Sequence, residues 1–220
     1  MDEGTIGGLT VNLKCENINK YYGGTQVLKN VTITCNSGEI TGIIGRNGAG
    51  KTVLFKALCG LISIDEGKIY IDNKEKNNGQ MIKSLGVIIE EPAFLSNVSG
   101  IQNLKYLYMI NNTYDRNHIA SIMQKVGLDP NSKKHVSKYS MGMRQRLAIA
   151  QAIMENPDIL ILDEPFNGLD NHGVEEMRLL FQKMKEEGKT ILVASHNAED
   201  IRILCDNVFQ MDSGILTKVR

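Results

Sequence analysis

An α/β fold organised around a parallel sheet is what this sequence predicts, on three observations. Residues 40–45 form an unalternating apolar run, the pattern of a strand covered on both faces, and further apolar strand-like runs stand at 85–89, 159–162 and 190–194. Segments of helical period stand between them, so strand and helix alternate along the chain. The third observation is a glycine-rich run, Gly45-Arg46-Asn47-Gly48-Ala49-Gly50-Lys51-Thr52, which joins the first of those strands to a helical pattern. It has the P-loop spelling G-x-x-x-x-G-K-S/T in a strand–loop–helix setting.

The elements follow in order. Residues 1–10 are glycine-rich and aperiodic, and read as a loose lead-in. Val11, Leu13 and Cys15 alternate with polar residues, as in a half-buried strand. Residues 27–34 form another strand, closed by an Asn36-Ser37-Gly38 turn. After the P-loop, Val53, Leu54, Ala57, Leu58 and Leu61 share one helical face, with Gly60 near its end. A short strand at 68–71, a loop at Asn77-Asn78-Gly79 and the strand at 85–89 come next. From 93 to 138 the pattern is helical, carried by Leu104, Leu107 and Tyr108, then by Ile119, Ile122 and Met123, with a break at Asp129-Pro130-Asn131-Ser132. Further helices are expected from Ser140 to near Met154 and over 175–185, and a last strand over 208–211. The chain is expected to be one domain, 1–220, with its α/β core and β subdomain over about 11–90 and 140–220 and a helical insertion over about 91–139.

Composition narrows the function classes. Twenty-five basic residues balance 25 acidic ones over 220 residues, so the electrostatic footprint of a nucleic-acid binder is missing. The four cysteines have no C-x-x-C spacing and the four histidines are scattered, which fits a reducing compartment and argues against zinc. The sequence opens on acidic Asp2 and Glu3 without an apolar signal region, and no uncharged apolar run approaches a membrane span. Any membrane role is therefore expected to run through a partner.

The P-loop carries the chemistry. Glycines let successive backbone N–H groups turn inward onto an anion, the following helix adds the positive end of its dipole, and Lys51 adds a full charge. Thr52 offers a hydroxyl to a magnesium ion between the phosphates. The run Asp158-Ile159-Leu160-Ile161-Leu162-Asp163-Glu164 ends a buried strand in two acids, at the end where a parallel sheet presents its ligand crevice. Asp163 there suits magnesium through its water shell. Glu164 suits the orientation and deprotonation of an attacking water. The sequence thus points to a nucleoside triphosphate as ligand.

Five motifs in this order and spacing resemble the nucleotide-binding subunit of ABC transporters over nearly the whole chain. Besides the P-loop and the Walker-B strand, Asn167-Gly168-Leu169-Asp170 resembles the D-loop, and His196 after Val193-Ala194-Ser195 resembles the switch histidine. Tyr139-Ser140-Met141-Gly142-Met143-Arg144-Gln145-Arg146 stands where the family signature LSGGQ belongs. The resemblance implies a P-loop cassette: a RecA-like core with an N-terminal antiparallel β subdomain and an inserted helical subdomain. It implies ATP and Mg2+ as ligands, and two subunits that sandwich two ATP molecules head to tail. Ser140, Gly142 and Asp170 would then act on the other subunit's nucleotide, and His196 would sense the terminal phosphate. Tyr22 resembles the aromatic that stacks on adenine, whereas Tyr21 points the other way if the segment is a strand. Ser140 also reads as a helix N-cap, a role compatible with the first. Ser195-His196 does not read as a hydrolase couple, because neighbours on a strand face opposite sides and no third group to orient the histidine is evident.

Three departures from the family pattern stand out. Val53 replaces a second hydroxyl residue, keeping only its backbone N–H. Met141 and Met143 replace a glycine and the glutamine of the signature, and Met143 cannot close a capping box with Ser140. Glu90, followed by Glu91-Pro92, stands where the Q-loop glutamine belongs, so an amide ligand for magnesium and water becomes a carboxylate and adds negative charge near the phosphates. With the Y-S-x-G-M-R-Q-R-L signature, Glu90 is similar to the branch that exports bacitracin and lantibiotics in self-immunity. The expectation is an ATPase subunit on the cytoplasmic face of the membrane. It would form a homodimer rather than a heterodimer, and a separate permease would dock on its helical insertion, without nucleic acid. The rival, a soluble ATP-gated clamp, typically has tandem cassettes or a long coiled coil, and a P-loop GTPase would need an N-K-x-D motif; the chain has neither.

Overall fold

The structure, a computed structural model, describes residues 12–90 and 93–220. The expectations for residues 1–10, Val11 and Glu91-Pro92 lie outside the described residues. Two sheets frame the molecule. A four-stranded antiparallel sheet has the order β2-β1-β4-β5, built from β1 (Leu13–Tyr22), β2 (Thr25–Cys35), β4 (Glu66–Ile71) and β5 (Lys74–Lys76). The second sheet has the order β10-β9-β3-β8-β7-β6, from β3 (Ile40–Ile44), β6 (Leu85–Ile88), β7 (Ile159–Asp163), β8 (Thr190–Ser195), β9 (Asn207–Asp212) and β10 (Ile215–Lys218). Its strands β9, β3, β8, β7 and β6 run parallel, and β10 closes the edge antiparallel to β9.

The unalternating runs have the burial that the sequence demands. Every residue of β7 and of β8 is buried, because helices or the second sheet cover both faces. On one face, α1 (Lys51–Cys59) lies between the two sheets, with Leu54, Phe55 and Leu58 wholly buried among Leu13, Leu28, Ile43, Ile161 and Leu192. Each such side chain stabilises the fold by roughly 1.5–3 kcal/mol. On the other face lie α4 (Met141–Ile153) and α5 (Asn171–Glu186), which bring Leu147, Ile149, Met177 and Phe181 against Leu160, Leu162 and Val193. The helices α2 (Gly100–Tyr108) and α3 (Arg116–Lys125) pack on each other and on α4, and α4 packs on β6.

Several boundaries differ from the sequence reading. β1 continues to Tyr22, with register shifts at Ile18/Lys20 and Lys20/Tyr21. Simple alternation fails there: Lys20 is buried, and both Tyr21 and Tyr22 face solvent. α5 starts at Asn171 rather than 175, because Asp170 caps it and the first turn has no apolar period to announce it. The short β5, α6 (Ala198–Leu204) and β10 were not anticipated. No helix among the described residues is long and apolar enough to cross a membrane.

Candidate functional site

The P-loop leaves β3 at its C-terminal end and feeds directly into α1. Gly50 makes this possible with φ +111°, a conformation that side-chain-bearing residues rarely adopt. Lys51 is 6 % exposed, and its ammonium donates to the carbonyl oxygens of Gly45 at 2.7 Å and Arg46 at 3.3 Å. A buried ammonium held by its own loop is a charge already in position for an anion. The loop lines a cleft of about 270 Å³ that includes Arg46, Gly48, Thr52 and Val53, and Asp163 and Glu164 face it from across.

Those two acids end β7. Asp163 is 8 % exposed and accepts the Thr52 hydroxyl at 2.5 Å on Oδ2. Burial pushes its carboxyl above the usual carboxylate range; the Thr52 hydrogen bond and Lys51 oppose the shift, while the Glu164 and Glu90 charges add to it. Glu164 has a left-handed backbone, φ +51°, and its N–H donates to Ala194 at 2.9 Å. Its carboxylate is fixed by β8 and the turn after it. Oε1 accepts the His196 N–H at 2.9 Å, and Oε2 meets His196 Nδ1 at 2.9 Å and accepts the Ser195 hydroxyl at 3.2 Å. Lys51 Nζ stands 3.8 Å away.

This geometry corrects one reading from sequence. A group that orients His196 does exist, and it is Glu164. The two are 32 residues apart and meet because β7 and β8 pair in parallel, Asp163 opposite Ala194. Nucleophilic catalysis by Ser195 is still disfavoured, since its buried hydroxyl donates to the carboxylate and not to the imidazole.

Glu90 follows β6 and also has a left-handed backbone, φ +61°. Such a conformation costs a non-glycine residue roughly 1–2 kcal/mol, and strain of this kind gathers at functional sites. The negative charge that Glu90 adds is paired: Lys56, half-buried on α1, approaches Glu90 Oε1 at 2.6 Å. Glu90 shares a second cleft, of about 290 Å³, with Asp163, Glu164 and the start of α4.

The signature and D-loop residues form a separate group. Ser140 is exposed and caps α4, accepting the Met143 N–H on Oγ at 3.2 Å, and Met143 returns no bond. Gly142 lies against Gly168, where a Cβ would come within 2.7 Å of the Gly168 carbonyl oxygen. Met141 covers Gly168 from the other side: a Cβ on Gly168 would meet its Cγ at 2.4 Å. Asp170 caps α5 by accepting the Gly173 N–H at 2.8 Å. Neither Ser140, Gly142 nor Asp170 lines the P-loop cleft of its own chain. Tyr22, 48 % exposed, stands on the antiparallel sheet with the Lys20 ammonium 5.3 Å from its ring centre.

Sequence reasoning gave no role to Gln145, whose amide donates to the carbonyl oxygens of Pro165 at 3.0 Å and Glu164 at 3.4 Å and so ties α4 to the turn after β7. It also gave none to Lys56. Among the described residues no cluster of three or more His, Cys, Asp or Glu could enclose a metal. A magnesium ion that keeps most of its waters and takes one carboxylate, one hydroxyl and phosphate oxygens fits Asp163 and Thr52 well.

Comparison with known proteins agrees with this layout. A family profile described as "ABC transporter" matches residues 28–167. The bacitracin transport ATP-binding protein BcrA of Bacillus licheniformis is 39% identical over 207 residues, 93% of this chain and 68% of that protein. The lantibiotic transport ATP-binding protein SrtF of Streptococcus pyogenes is 38% identical over 194 residues, 88% of this chain and 84% of that protein. A solved dimeric bacterial ABC transporter cassette superposes with TM-score 0.83 at 25% identity, covering 94% of this chain and 99% of the other.

Proposed function

This chain belongs to the ABC transporter family, and on that premise we propose that it hydrolyses ATP to drive export of peptide antibiotics, of the bacitracin and lantibiotic kind, through a separate membrane permease. One observation carries the ATPase reading. Glu164 is held at the mouth of the P-loop cleft by Ser195 and His196, with Lys51 on the cleft side.

The reaction follows from those positions. Lys51 and the backbone N–H groups of Gly45 to Val53 bind the phosphates, and Lys51 exchanges its two loop carbonyls for phosphate oxygens. Thr52 and Asp163 would hold magnesium, which would supply positive charge to the phosphates. Glu164 accepts a proton from the water that attacks the γ-phosphorus, and ADP departs with the electrons of the broken P–O bond. His196 holds the carboxylate through Nδ1, which leaves Nε2 as the edge to meet the γ-phosphate. Glu90, in the cleft with Asp163 and Glu164, would offer a further carboxylate to water and metal, and Tyr22 stacks on adenine. Ser140 and Gly142, at the exposed start of α4, and Asp170 complete the site of a second, identical subunit. The helical insertion expected over about 91–139 takes the permease, which keeps the subunit at the inner face of the membrane.

Glu164→Gln tests the assignment. ATP binding should persist, turnover should fall by about 10²–10⁴-fold, and an ATP-bound dimer should accumulate on size exclusion. Near-normal hydrolysis by the purified variant would overturn it.

A further inference from the structure

The three acids at the cleft are partnered unequally. Lys51 stands beside Glu164 and Lys56 pairs with Glu90, while Asp163 has only the Thr52 hydroxyl and, among the described residues, no ion pair. Lys56 lies on α1, the helix that begins at Lys51 and carries Thr52, so its ammonium is fixed to the phosphate-binding element. Glu90 comes from the end of β6, a different strand, and lines the same cleft as Asp163 and Glu164. Its side chain is 64% exposed, so it is not packed into this one arrangement. Glu90 therefore has two places to go: the Lys56 ammonium, or a cation at Thr52 and Asp163.

We propose that Lys56 is a positioning residue that latches Glu90 away from the phosphates until a metal-bearing nucleotide draws the carboxylate across. The inference rests on the ATP-binding reading above. The latch gives the Glu90 carboxylate a partner for as long as no metal is bound. Without the latch, a mobile carboxylate would repel metal-free nucleotide; with it, the charge is engaged until magnesium arrives.

The test is the ratio of ATP dissociation constants without and with magnesium, measured by calorimetry on the full chain for Lys56→Gln, Glu90→Gln, the double variant and Lys56→Arg. Lys56→Gln should raise the ratio by about threefold to tenfold by freeing Glu90. Glu90→Gln should lower it, the double variant should match Glu90→Gln alone, and Lys56→Arg should restore the wild-type ratio. Equal effects of Lys56→Gln in both backgrounds would mean that Lys56 acts only as a charge near the phosphates, and no effect would mean that it does nothing; either result overturns the latch while ATP binding stands. A wild-type chain that binds no ATP under either condition would instead overturn the ATPase reading, and the latch with it.

Discussion

Lys51 and Asp163 are 6 % and 8 % exposed and already have hydrogen-bond partners within the chain, whereas Ser140 stands exposed at the tip of α4 with only its own helix to bond. The first pair belongs to a cleft whose floor, β3, β7 and β8, is buried on both faces. The second belongs to a rim where α4 and the loop before α5 meet through Met141, Gly142 and Gly168. Groups that must hold several negative charges are organised before ligand arrives, which limits the reorganisation cost of binding. The rim offers a helix N-terminus and no such enclosure. On the proposed reading, its donors become a binding site only when a second subunit supplies the anion. On that proposal, one half of the chemistry is built by folding and the other by association.

The largest effect should come from breaking the association half alone. In the Glu164→Gln background, Ser140→Arg places bulk and charge at the rim. ATP affinity should stay near that of the parent, and the ATP-loaded protein should elute as a monomer instead of a dimer. A persistent dimer would show that the rim is not the contact surface.

The folding half should respond in the opposite way. Arg178 on α5 and Asp200 on α6 form an ion pair whose side chains are 18% and 13% exposed, and Asp200 lies on the helix that follows His196. Removing one partner strands a largely desolvated charge, so Arg178→Ala should lower the unfolding free energy by about 3 kcal/mol in urea titration of the monomer. A loss comparable to that of a surface substitution, below about 0.5 kcal/mol, would mean that this pair does not brace the switch segment.

The same division governed what could be read from the sequence. The cleft was legible because its parts announce themselves locally: a P-loop spelling, and apolar strands ending in acids. The partners that tune it were not. Glu164 meets His196 because parallel pairing sets Asp163 opposite Ala194, and Lys56 on α1 meets Glu90, in the segment after β6, from 34 residues away in the chain; neither contact has a local signature. Helix α6 escaped notice because seven residues opened by Asn197 and the acids Glu199 and Asp200 present barely two turns of period. β5, with the sequence Lys-Glu-Lys, has no apolar residue to mark it and forms only by pairing with β4. The expectation of alternating faces at Tyr21 and Tyr22 failed at a register shift that no single-strand pattern encodes.

The smallest effect is also the most discriminating, because Ser140 is a helix cap and is proposed to act in the association half as well. Its Oγ accepts the Met143 N–H, so it stabilises α4 as a cap, and it is also the side chain assigned to the partner's phosphate. The two roles respond differently to replacement. Ser140→Ala removes the cap and should cost about 1 kcal/mol of stability. Ser140→Asp keeps an acceptor at the N-cap and adds a negative charge that the helix dipole favours, so stability should stay within about 0.5 kcal/mol of the parent. Dimerisation should rank the two the other way. An aspartate at the rim sets a carboxylate against a phosphate, whereas alanine leaves the backbone donors of α4 in place. In the Glu164→Gln background, Ser140→Asp should therefore need much more ATP to dimerise than Ser140→Ala, although it is the more stable protein. If Ser140 were a cap and nothing else, dimerisation would follow stability and alanine would be the worse of the two. Urea melts and ATP-titrated size exclusion on the same two variants decide between these orders.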